Sequence, residues 1–544
     1  MVRKEIKLLI KEALKEIKKK SKTLSFSFDL EKLKIERPKE KSHGDYSTNI
    51  AFQLAKETKE NPMKIANFFV SVLKKKQMAF KKQGKKLKLF EKIEAVSPGF
   101  INFFLSKEYC QIIIADLLKQ GKNYGKLAIG EKKKTNIEFI SANPTGELHI
   151  GNGRGAFFGD CLAKVLEKAG YYVFREYYVN DAKVSLQIQE LGKTAFGKSE
   201  SYLTPFVKNL ILELEPSLKK IKSEAEAGFF LSQNILQNIR NFLENKLNIK
   251  FDFWVSEQNL YKEGKIQQVY KILQEKKLIY KKDGAFWLNL SNFSQKDEVL
   301  IRKNGQPSYF LSDIAYHQYK IERGFEKIID IWGADHQGHI GRMKAVMQIL
   351  GFKGEFDVLI SQIVNLKGEK ISKRKGNIVS LEWLVNEVGL DAARFFYLTR
   401  SLNSQMEFDI ELAKEQSEKN PVFYIQYAHA RICSILEKSK KEKISKKLKE
   451  ESLKFLKHQR EIELIKELIR FPEIIEDTAR DYQVQRIPQY ALELASIFHQ
   501  FYQECQVITK NKKLRAARLA LVLATKIVLQ ETLNLMGISA PEKM

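Results

Sequence analysis

The stretch from residue 135 to residue 170 constrains the fold more than any other. Residues 135–140 form an apolar run that predicts a strand, and apolar residues at helical spacing predict a helix over 156–169, which Gly170 ends. A glycine-rich turn joins the two elements. Because the N-terminus of a helix presents free N–H groups and the positive end of its dipole, this strand, turn and helix predict an anion site.

The turn carries one imidazole, His149, among glycines that let a ligand approach the backbone. Its spacing is neither the dinucleotide pattern G-x-G-x-x-G nor the phosphate loop G-x-x-x-x-G-K-[ST]. The one Gly-Lys-Thr, residues 192–194, has Gln187 where that phosphate loop requires its first glycine. The turn therefore predicts a nucleotide site of another kind.

Further apolar runs at residues 171–179, 328–332 and 358–366 alternate with helical stretches. This alternation predicts a doubly wound parallel sheet, in which ligands bind at the carboxyl ends of the strands. Residues 195–300 interrupt the pattern with helices and a short β segment near 284–288. We interpret them as an insertion that contacts the acceptor end of a nucleic acid.

The charge balance indicates the class of partner. The chain has 94 Lys and Arg residues against 66 Asp and Glu, a net charge of +28, which attracts polyanions such as nucleic acid; a general lysine bias with solvated faces is the alternative. Four well-separated cysteines without a C-x-x-C pair argue against a zinc ribbon or a disulfide framework and fit a reducing cytoplasm. No apolar run reaches the ~18 residues of a membrane span, so no membrane association is expected.

The wording SANPTGELHIGN followed by GRG resembles the His-Ile-Gly-His signature of class I aminoacyl-tRNA synthetases, in the form found in bacterial arginyl-tRNA synthetases. The last His of that signature is Asn152 here, which can donate a hydrogen bond but carries no charge. The signature motif comprises Ala142, Asn143, Pro144, Thr145, Gly146, Glu147, Leu148, His149, Ile150, Gly151 and Asn152.

A second segment, KGEKISKRKGN at residues 367–377, resembles the Lys-Met-Ser-Lys-Ser loop of the same class, and Lys370 and Lys373 match its two lysines. A lone K-x-x-K segment is usually a solvated turn, but here it follows the first signature in one chain. The resemblance implies that ATP binds as its Mg²⁺ complex and that a substrate carboxylate attacks the α-phosphate. The expected catalytic and ATP-binding residues are His149, Gly151, Asn152, Lys370 and Lys373, because positioning and electrostatic stabilisation dominate such transfers.

The segment WGADHQGH, residues 332–339, follows a predicted strand. The resemblance places Asp335 and His336 near ATP and makes Gln337 a further substrate contact. A zinc site in the D-H-x-x-H cluster is the alternative, but we expect no tightly bound metal.

A guanidinium substrate requires paired carboxylates. Glu138 is an acid inside a strand, so it faces either a ligand or an internal partner. Asp313 follows Tyr309 by one helical turn; the alternative is that Asp313 caps a helix over 314–320. The resemblance implies that the substrate is held by Glu138, Ser141, Asn143, Tyr309 and Asp313.

The ends of the chain extend the resemblance. GDYSTNIAFQLAK, where Ser47 or Thr48 is the expected helix cap, and SPGFINFFL are similar to the N-terminal domain of arginyl-tRNA synthetases, which contacts the corner of the tRNA. NPVFYIQYAHARI and the terminal APEKM resemble their helical anticodon-binding bundle. The expected organisation is an α+β N-terminal domain (1–115), a linker (116–134), a Rossmann-like α/β catalytic domain (135–410) with the insertion at 195–300, and an all-α bundle (411–544).

The resemblance implies ATP-dependent ligation of L-arginine to tRNA(Arg) by a cytoplasmic monomer. Three alternatives remain: a class I synthetase for another amino acid, a nucleotidyltransferase like pantothenate synthetase, and a non-catalytic RNA-binding paralogue. A nucleotidyltransferase would not require 544 residues or the basic helical C-terminus. A non-catalytic paralogue would not require the intact signature residues His149, Lys370 and Lys373.

Overall fold

A five-stranded parallel sheet forms the centre of the computed structural model, which describes residues 1–20, 33–77, 81–82, 85–367, 379–441 and 450–544. The strand that enters the signature turn is the middle strand, as expected of a doubly wound sheet. All four pairings are parallel, so the carboxyl ends of the strands share one edge. The strands across the sheet are Glu355–Ser361, Lys327–Gly333, Lys134–Glu138, Tyr172–Val179 and Phe253–Ser256.

The helix after the turn, which we call the signature helix, spans Ile150–Ala169. It begins at Ile150 and not at the predicted Ala156, because His149 and Asn152 cap its first turn and so stabilise helix through the glycines. Its apolar residues, among them Phe157 and Leu162, are buried against the sheet and the neighbouring helices.

The predicted strand over 358–366 is two strands. Glu355–Ser361 belongs to the central sheet, whereas Val364–Leu366 pairs in parallel with Met406–Phe408 in a separate two-stranded sheet. The chain leaves the central sheet between them, where the N–H of Gln362 donates to the carbonyl of Leu402 at 3.0 Å.

The predicted insertion over 195–300 is not continuous, because Phe253–Ser256 pairs with Tyr172–Val179 as the edge strand of the central sheet. A helical part precedes this strand, and a three-stranded antiparallel sheet lies beyond it. The helices of this region are Leu186–Ala195, Pro205–Leu218, Glu224–Asn241, Glu257–Lys262 and Lys265–Glu275, with a π-helical turn at Phe242–Lys246, and the strands of the small sheet are Ile279–Lys282, Ala285–Leu288 and Glu298–Ile301.

The rest of the catalytic part is mainly helical. Its helices connect the strands of the central sheet or lie next to strand Met406–Phe408 in the chain. They are Tyr309–Glu322, Ile340–Ile349, Leu381–Val388, Leu390–Leu398 and Ile410–Lys414, with a 3₁₀ helix at Ala334–His339.

The N-terminal part combines helices with an antiparallel sheet. The expected caps Ser47 and Thr48 are wrong: both lie in a strand, and Asn49 is the N-cap position of the following helix. The helices are Val2–Lys20, Ile50–Thr58, Pro62–Gln77 and Lys107–Gln120, and the strands across the sheet are Ile35–Glu36, Tyr46–Thr48, Phe100–Leu105 and Phe90–Val96, with a short hairpin at Lys81–Lys82 and Lys85–Lys86.

Four long helices form the C-terminal bundle: Pro421–Lys441, Gln459–Asp481, Arg486–Glu504 and Lys512–Met536. The last helix is long and apolar enough to cross a membrane by length and composition, but 61% of its apolar window is buried inside the protein. A core helix of a bundle has the same properties.

The N-terminal part docks on the second bundle helix through a buried polar contact. The Tyr46 hydroxyl donates to Glu473 at 3.0 Å, and Arg37 donates to the Tyr46 oxygen at 3.3 Å and to the carbonyl of Lys466 at 3.1 Å. Arg3 adds an ion pair with Asp477 at 2.6 Å. These contacts tie the two ends of the chain together.

Close packing of the signature helix on the central strand predicts opposite effects for two glycine substitutions. A Cβ at Gly159 would lie 2.3 Å from the Phe139 ring, whereas a Cβ at Gly155 meets nothing closer than 3.7 Å. We expect Gly159→Ala to destabilise the protein by about 1–3 kcal/mol and Gly155→Ala to leave stability unchanged or raise it by up to about 1 kcal/mol. Scanning calorimetry of both variants checks this; equal shifts in Tm would contradict the packing.

Candidate active site

His149 organises the signature turn as the N-cap of the signature helix. Its Nδ1 accepts a hydrogen bond from the N–H of Gly151 at 3.1 Å, and the Oδ1 of Asn152 accepts one from the N–H of His149 at 2.9 Å. The two residues thus form a capping box that satisfies two N–H groups of the helix terminus.

The cap also assigns the tautomer of His149. Because Nδ1 accepts, the proton of the neutral ring is on Nε2, which remains available as a donor. Desolvation by the turn lowers the pKa of His149, although the residue stays solvent-accessible at the surface of the site. At neutral pH this side chain can therefore donate a hydrogen bond to a phosphate oxygen without bringing a charge.

Asn152 has a structural task in this geometry. Its amide oxygen is occupied by the cap, and its Nδ2 donates to no other described residue. The replacement of the signature's last His therefore keeps a donor in the turn while the oxygen fixes the backbone of His149.

Lys370 and Lys373 lie outside the described residues, but both flanks of their loop are described. After the loop, the N–H of Leu381 donates to the carbonyl of Leu148 at 2.8 Å, and the carbonyl of Val379 accepts from Ile150 at 3.0 Å. These bonds place the return end of the loop directly beside His149.

The WGADH segment lies at the carboxyl end of strand Lys327–Gly333, as predicted. It forms a 3₁₀ helix in which Asp335, His336 and Gln337 are exposed, and His336 lies 3.5 Å from Asp335. Among the described residues, no group of three or more His, Cys, Asp and Glu side chains could hold a metal ion.

Three carboxylates lie side by side in the middle of the central sheet: Glu138 is in register with Asp330 on one neighbouring strand and with Glu176 on the other. Side chains of helix Tyr309–Glu322, and Arg323 just after it, donate to these carboxylates and offset their negative charge. Lys320 Nζ, fully buried, donates to Glu138 at 2.6 Å and to Asp330 at 2.7 Å. The remaining contacts are made by His317 to Asp330 at 2.8 Å, by Tyr316 to Glu176 at 2.6 Å and by Arg323 to Glu176 at 2.5 and 2.8 Å.

Glu138 therefore has an internal partner, one of the two expected alternatives. Its second oxygen accepts from the Ser141 hydroxyl at 2.8 Å, and the Ser141 oxygen in turn accepts from the N–H of Tyr178 at 3.1 Å. Ile140 and Ser141 have φ values of 70° and 38°, a strained left-handed backbone for side-chain-bearing residues. The Glu138–Ser141 bond holds this strained turn in place. Asn143 follows as an exposed residue whose Oδ1 accepts from Asn180 at 2.8 Å.

Asp313 is not a helix cap. Ser308 caps a helix that begins at Tyr309, so Asp313 lies one turn inside it and on the same side as Tyr309. The Asp313 carboxylate makes no hydrogen bond or ion pair with any described residue, and burial raises its pKa to about 7, with the nearby acid Glu257 adding to the shift.

Glu257 was missed by the sequence analysis. It is 3% exposed, its Oε2 has no hydrogen-bond partner among the described residues, and burial raises its pKa to about 7. It lines a polar cleft together with Tyr309, Ser312 and Arg302. The signal was present, since Glu257 follows directly after a strand of the parallel sheet, but that strand was itself not predicted.

The segment NPVFYIQYAHARI, which resembles the anticodon-binding bundle, forms an aromatic cluster with two residues of another bundle helix that the sequence analysis did not single out, His499 and Tyr502. Arg431 stacks 5.3 Å from the ring of Tyr427 and 5.5 Å from that of Tyr502, which is 37% exposed. Tyr424 packs on His499 with ring centroids 4.7 Å apart. Tyr424 and Tyr427 are half-buried, and only Tyr502 is exposed. Accessible aromatic rings interleaved with arginine are typical of surfaces that stack unpaired bases.

Comparisons with known proteins cover the whole described architecture. Residues 4–105 match the arginyl tRNA synthetase N terminal domain, residues 113–195 and 212–410 match the catalytic domain of tRNA synthetases class I (R), and residues 425–544 match the DALR anticodon binding domain. The arginine–tRNA ligase of Carboxydothermus hydrogenoformans is 41% identical over 94% of both chains, and that of Caldanaerobacter subterraneus is 40% identical over 99% of this chain and 98% of its own.

The chain belongs to the arginyl-tRNA synthetase family. It is a class I aminoacyl-tRNA synthetase of the arginine–tRNA ligase type, as the sequence predicted. A putative arginyl-tRNA synthetase from Campylobacter jejuni is similar in structure, with a TM-score of 0.70 and 33% identity over 81% of this chain and 100% of its own. The Thermus thermophilus arginyl-tRNA synthetase shares the fold along the full length of both chains, with a TM-score of 0.79 and 22% identity.

The two ring nitrogens of His149 have different expected roles: Nδ1 caps the helix, and Nε2 donates to the nucleotide. One pair of variants separates these roles. His149→Ala removes both the cap and the donor, whereas His149→Asn retains a good cap but cannot place a donor where Nε2 lies. We expect both to lower the turnover of this synthetase about 10²-fold or more, and only His149→Ala to lower Tm as well. Single-turnover kinetics with calorimetry checks this; near-wild-type turnover of either variant would remove His149 from the mechanism.

Proposed function

We propose that this synthetase activates L-arginine with ATP to arginyl-adenylate and pyrophosphate, and then transfers the arginyl group to tRNA(Arg) with release of AMP. The observation that carries the proposal is the pair of carboxyls Asp313 and Glu257. Neither forms an ion pair with a cation among the described residues, and both lie at the carboxyl-end side of the same sheet as the nucleotide turn. We further propose that the enzyme works in the cytoplasm as a monomer.

The first step requires no general base, because the substrate carboxylate is already ionised when it attacks the α-phosphate. The protein supplies positioning and stabilisation of the oxygens that gain charge. In this mechanism the Nε2–H of His149, the N–H groups at the start of the signature helix and the free Nδ2 of Asn152 face the nucleotide. The loop carrying Lys370 and Lys373 reaches the leaving pyrophosphate, supported by the pairing of its return end with Leu148 and Ile150.

Magnesium enters with the nucleotide in this proposal. The described residues hold no cluster suited to a resident metal, so the ion is coordinated mainly by the phosphates, where it neutralises charge. Asp335 and His336 lie exposed at the strand end, where an ATP-binding role is consistent with their position.

In this proposal, two acids bind the arginine guanidinium directly and a third acts indirectly. Asp313 and Glu257 are the direct acceptors for the guanidinium, with Tyr309 packing beside them, whereas Glu138 acts through Ser141 by fixing the turn that leads to Asn143. Gln337 at the strand end completes the substrate contacts. A neutral side chain would leave both acids without a counter-ion among the described residues, which disfavours an apolar amino acid.

The tRNA contacts involve the two ends of the chain. The cluster of Tyr424, Tyr427, Arg431 and Tyr502 is suited to stacking anticodon bases, and the net charge of +28 supports binding of the phosphate backbone. The N-terminal domain, fixed to the same bundle, contacts the corner of the tRNA.

ATP–pyrophosphate exchange with each amino acid in turn, with and without total tRNA, tests the proposed function. We expect exchange with arginine alone, and only in the presence of tRNA. Exchange with a different amino acid would overturn the pocket assignment, and absence of exchange under every condition would favour a non-catalytic RNA-binding role.

The raised pKa values of Asp313 and Glu257 predict that arginine binding depends on pH. Both acids are partly protonated near pH 7 in the free enzyme, and the guanidinium requires them ionised. Arginine should therefore bind more tightly as pH rises from about 6 to 8, with release of protons on binding. Isothermal titration calorimetry in buffers of different ionisation enthalpy measures this release.

Two variants control the pH experiment. Asp313→Asn should raise the KM for arginine more than that for ATP and reduce the proton release; Glu257→Gln should act in the same direction. An Asp313→Asn enzyme with equal changes in both KM values would make Asp313 structural. A pH-independent affinity in the wild type would contradict the pairing of these acids with the substrate.

A further inference from the structure

We call residues 367–377, which carry Lys370 and Lys373, the lysine loop. Residues 401–409, which we call the connector, pair with the segment of chain that leads into this loop. The N–H of Gln362 donates to the carbonyl of Leu402 at 3.0 Å, strand Val364–Leu366 pairs with Met406–Phe408, and the N–H of Lys367 donates to the carbonyl of Phe408 at 3.0 Å. Lys367 also forms an ion pair with Asp409 at 2.8 Å. The position of the loop's incoming end is therefore set by the connector.

The first turn of the signature helix reaches the connector through Arg154. This side chain is buried, with 1% of the residue exposed, and its Nη2 donates to the carbonyl of Ser401. Among the described residues, its Nε and Nη1 have no hydrogen-bond partner and its guanidinium forms no ion pair. A buried guanidinium without a carboxylate is costly, and an apolar side chain of similar size would fill the space at less cost.

The C-terminal bundle meets the same connector residue. In the turn after helix Gln459–Asp481, the Oε1 of Gln483 lies 3.4 Å from the hydroxyl of Ser401, and the adjacent Tyr482 donates to Asp357 on the edge strand of the sheet at 2.7 Å. Tyr482 has a φ of 60°, an uncommon left-handed conformation for a bulky residue. The signature helix and the bundle thus meet at Ser401, and strand Val364–Leu366 pairs with the same connector at residues 406–408.

We propose that Arg154 is a positioning residue, which holds the connector against the signature helix and so sets the distance between His149 and the incoming end of the lysine loop. The inference rests on the proposed function. The return end of the loop is already paired with Leu148 and Ile150, so Arg154 provides the corresponding polar link for the incoming end. It touches neither substrate and acts only through the two signatures.

Arg154→Met tests this proposal, with Arg154→Lys as the conservative variant and Ser404→Ala as the matched control. The hydroxyl of Ser404 donates to the same Ser401 carbonyl at 2.8 Å but from within the connector, without reaching the signature helix. Tm, the kcat of arginine-dependent exchange in the presence of tRNA, and the KM for arginine are measured for all three variants and the wild type.

We expect Arg154→Met to lower kcat by about 10-fold or more, because small displacements of catalytic groups are costly, with Tm retained and the KM for arginine within about twofold of the wild type. Arg154→Lys should fall between the wild type and Arg154→Met, and Ser404→Ala should match the wild type. An unchanged kcat for Arg154→Met overturns the proposal. A loss of activity that is fully explained by a loss of folded protein also overturns the proposal. Failure of both Arg154 variants to fold counts as this outcome. Exchange by the wild type reports on the proposed function separately.

Discussion

The row of carboxylates formed by Glu138, Glu176 and Asp330 is the constraint on which the catalytic domain depends. Three acids at one level of a parallel sheet repel one another and cannot stay ionised in a buried layer without cations. Helix Tyr309–Glu322 supplies Lys320, with Arg323 immediately after its end. This requirement fixes the rotation of the helix over the sheet. The same rotation places Tyr309 and Asp313 on the side of Glu257, so charge compensation in the core and the geometry of the proposed amino-acid pocket have one cause.

The signature turn shows a similar sharing of tasks. His149 Nδ1 and Asn152 Oδ1 cap the helix, which leaves His149 Nε2 and Asn152 Nδ2 as the donors for the proposed nucleotide. The cap fixes the tautomer, and the Glu138–Ser141 bond fixes the strained backbone that precedes it. A turn held by its own hydrogen bonds needs little reorganisation when the nucleotide arrives, which is the condition for effective electrostatic stabilisation.

Much of this architecture could be predicted from the sequence because its signals are local. The near-continuous apolar runs indicated four of the five central strands, and Pro421 did open a long bundle helix. The short strand Phe253–Ser256 was missed because it lies among helices and has only four residues. Without that strand, no sequence pattern singles out Glu257. The partner of Glu138 could not be predicted, since Lys320 is 182 positions away and no local pattern connects the two.

The distribution of charge explains why the pocket suits a cation. Glu138, Asp330 and Glu176 are matched by Lys320 and Arg323 inside the protein, whereas Asp313 and Glu257 have raised pKa values and no counter-ion in the part of the chain that the structure describes. The internal lysine cannot move to serve them, because it is buried and bound to two carboxylates. A guanidinium entering beside Tyr309 would supply the missing positive charge and ionise both acids. In the proposed pocket, selectivity then arises from the cost of ionising two acids without a counter-ion, a cost that a cationic substrate removes.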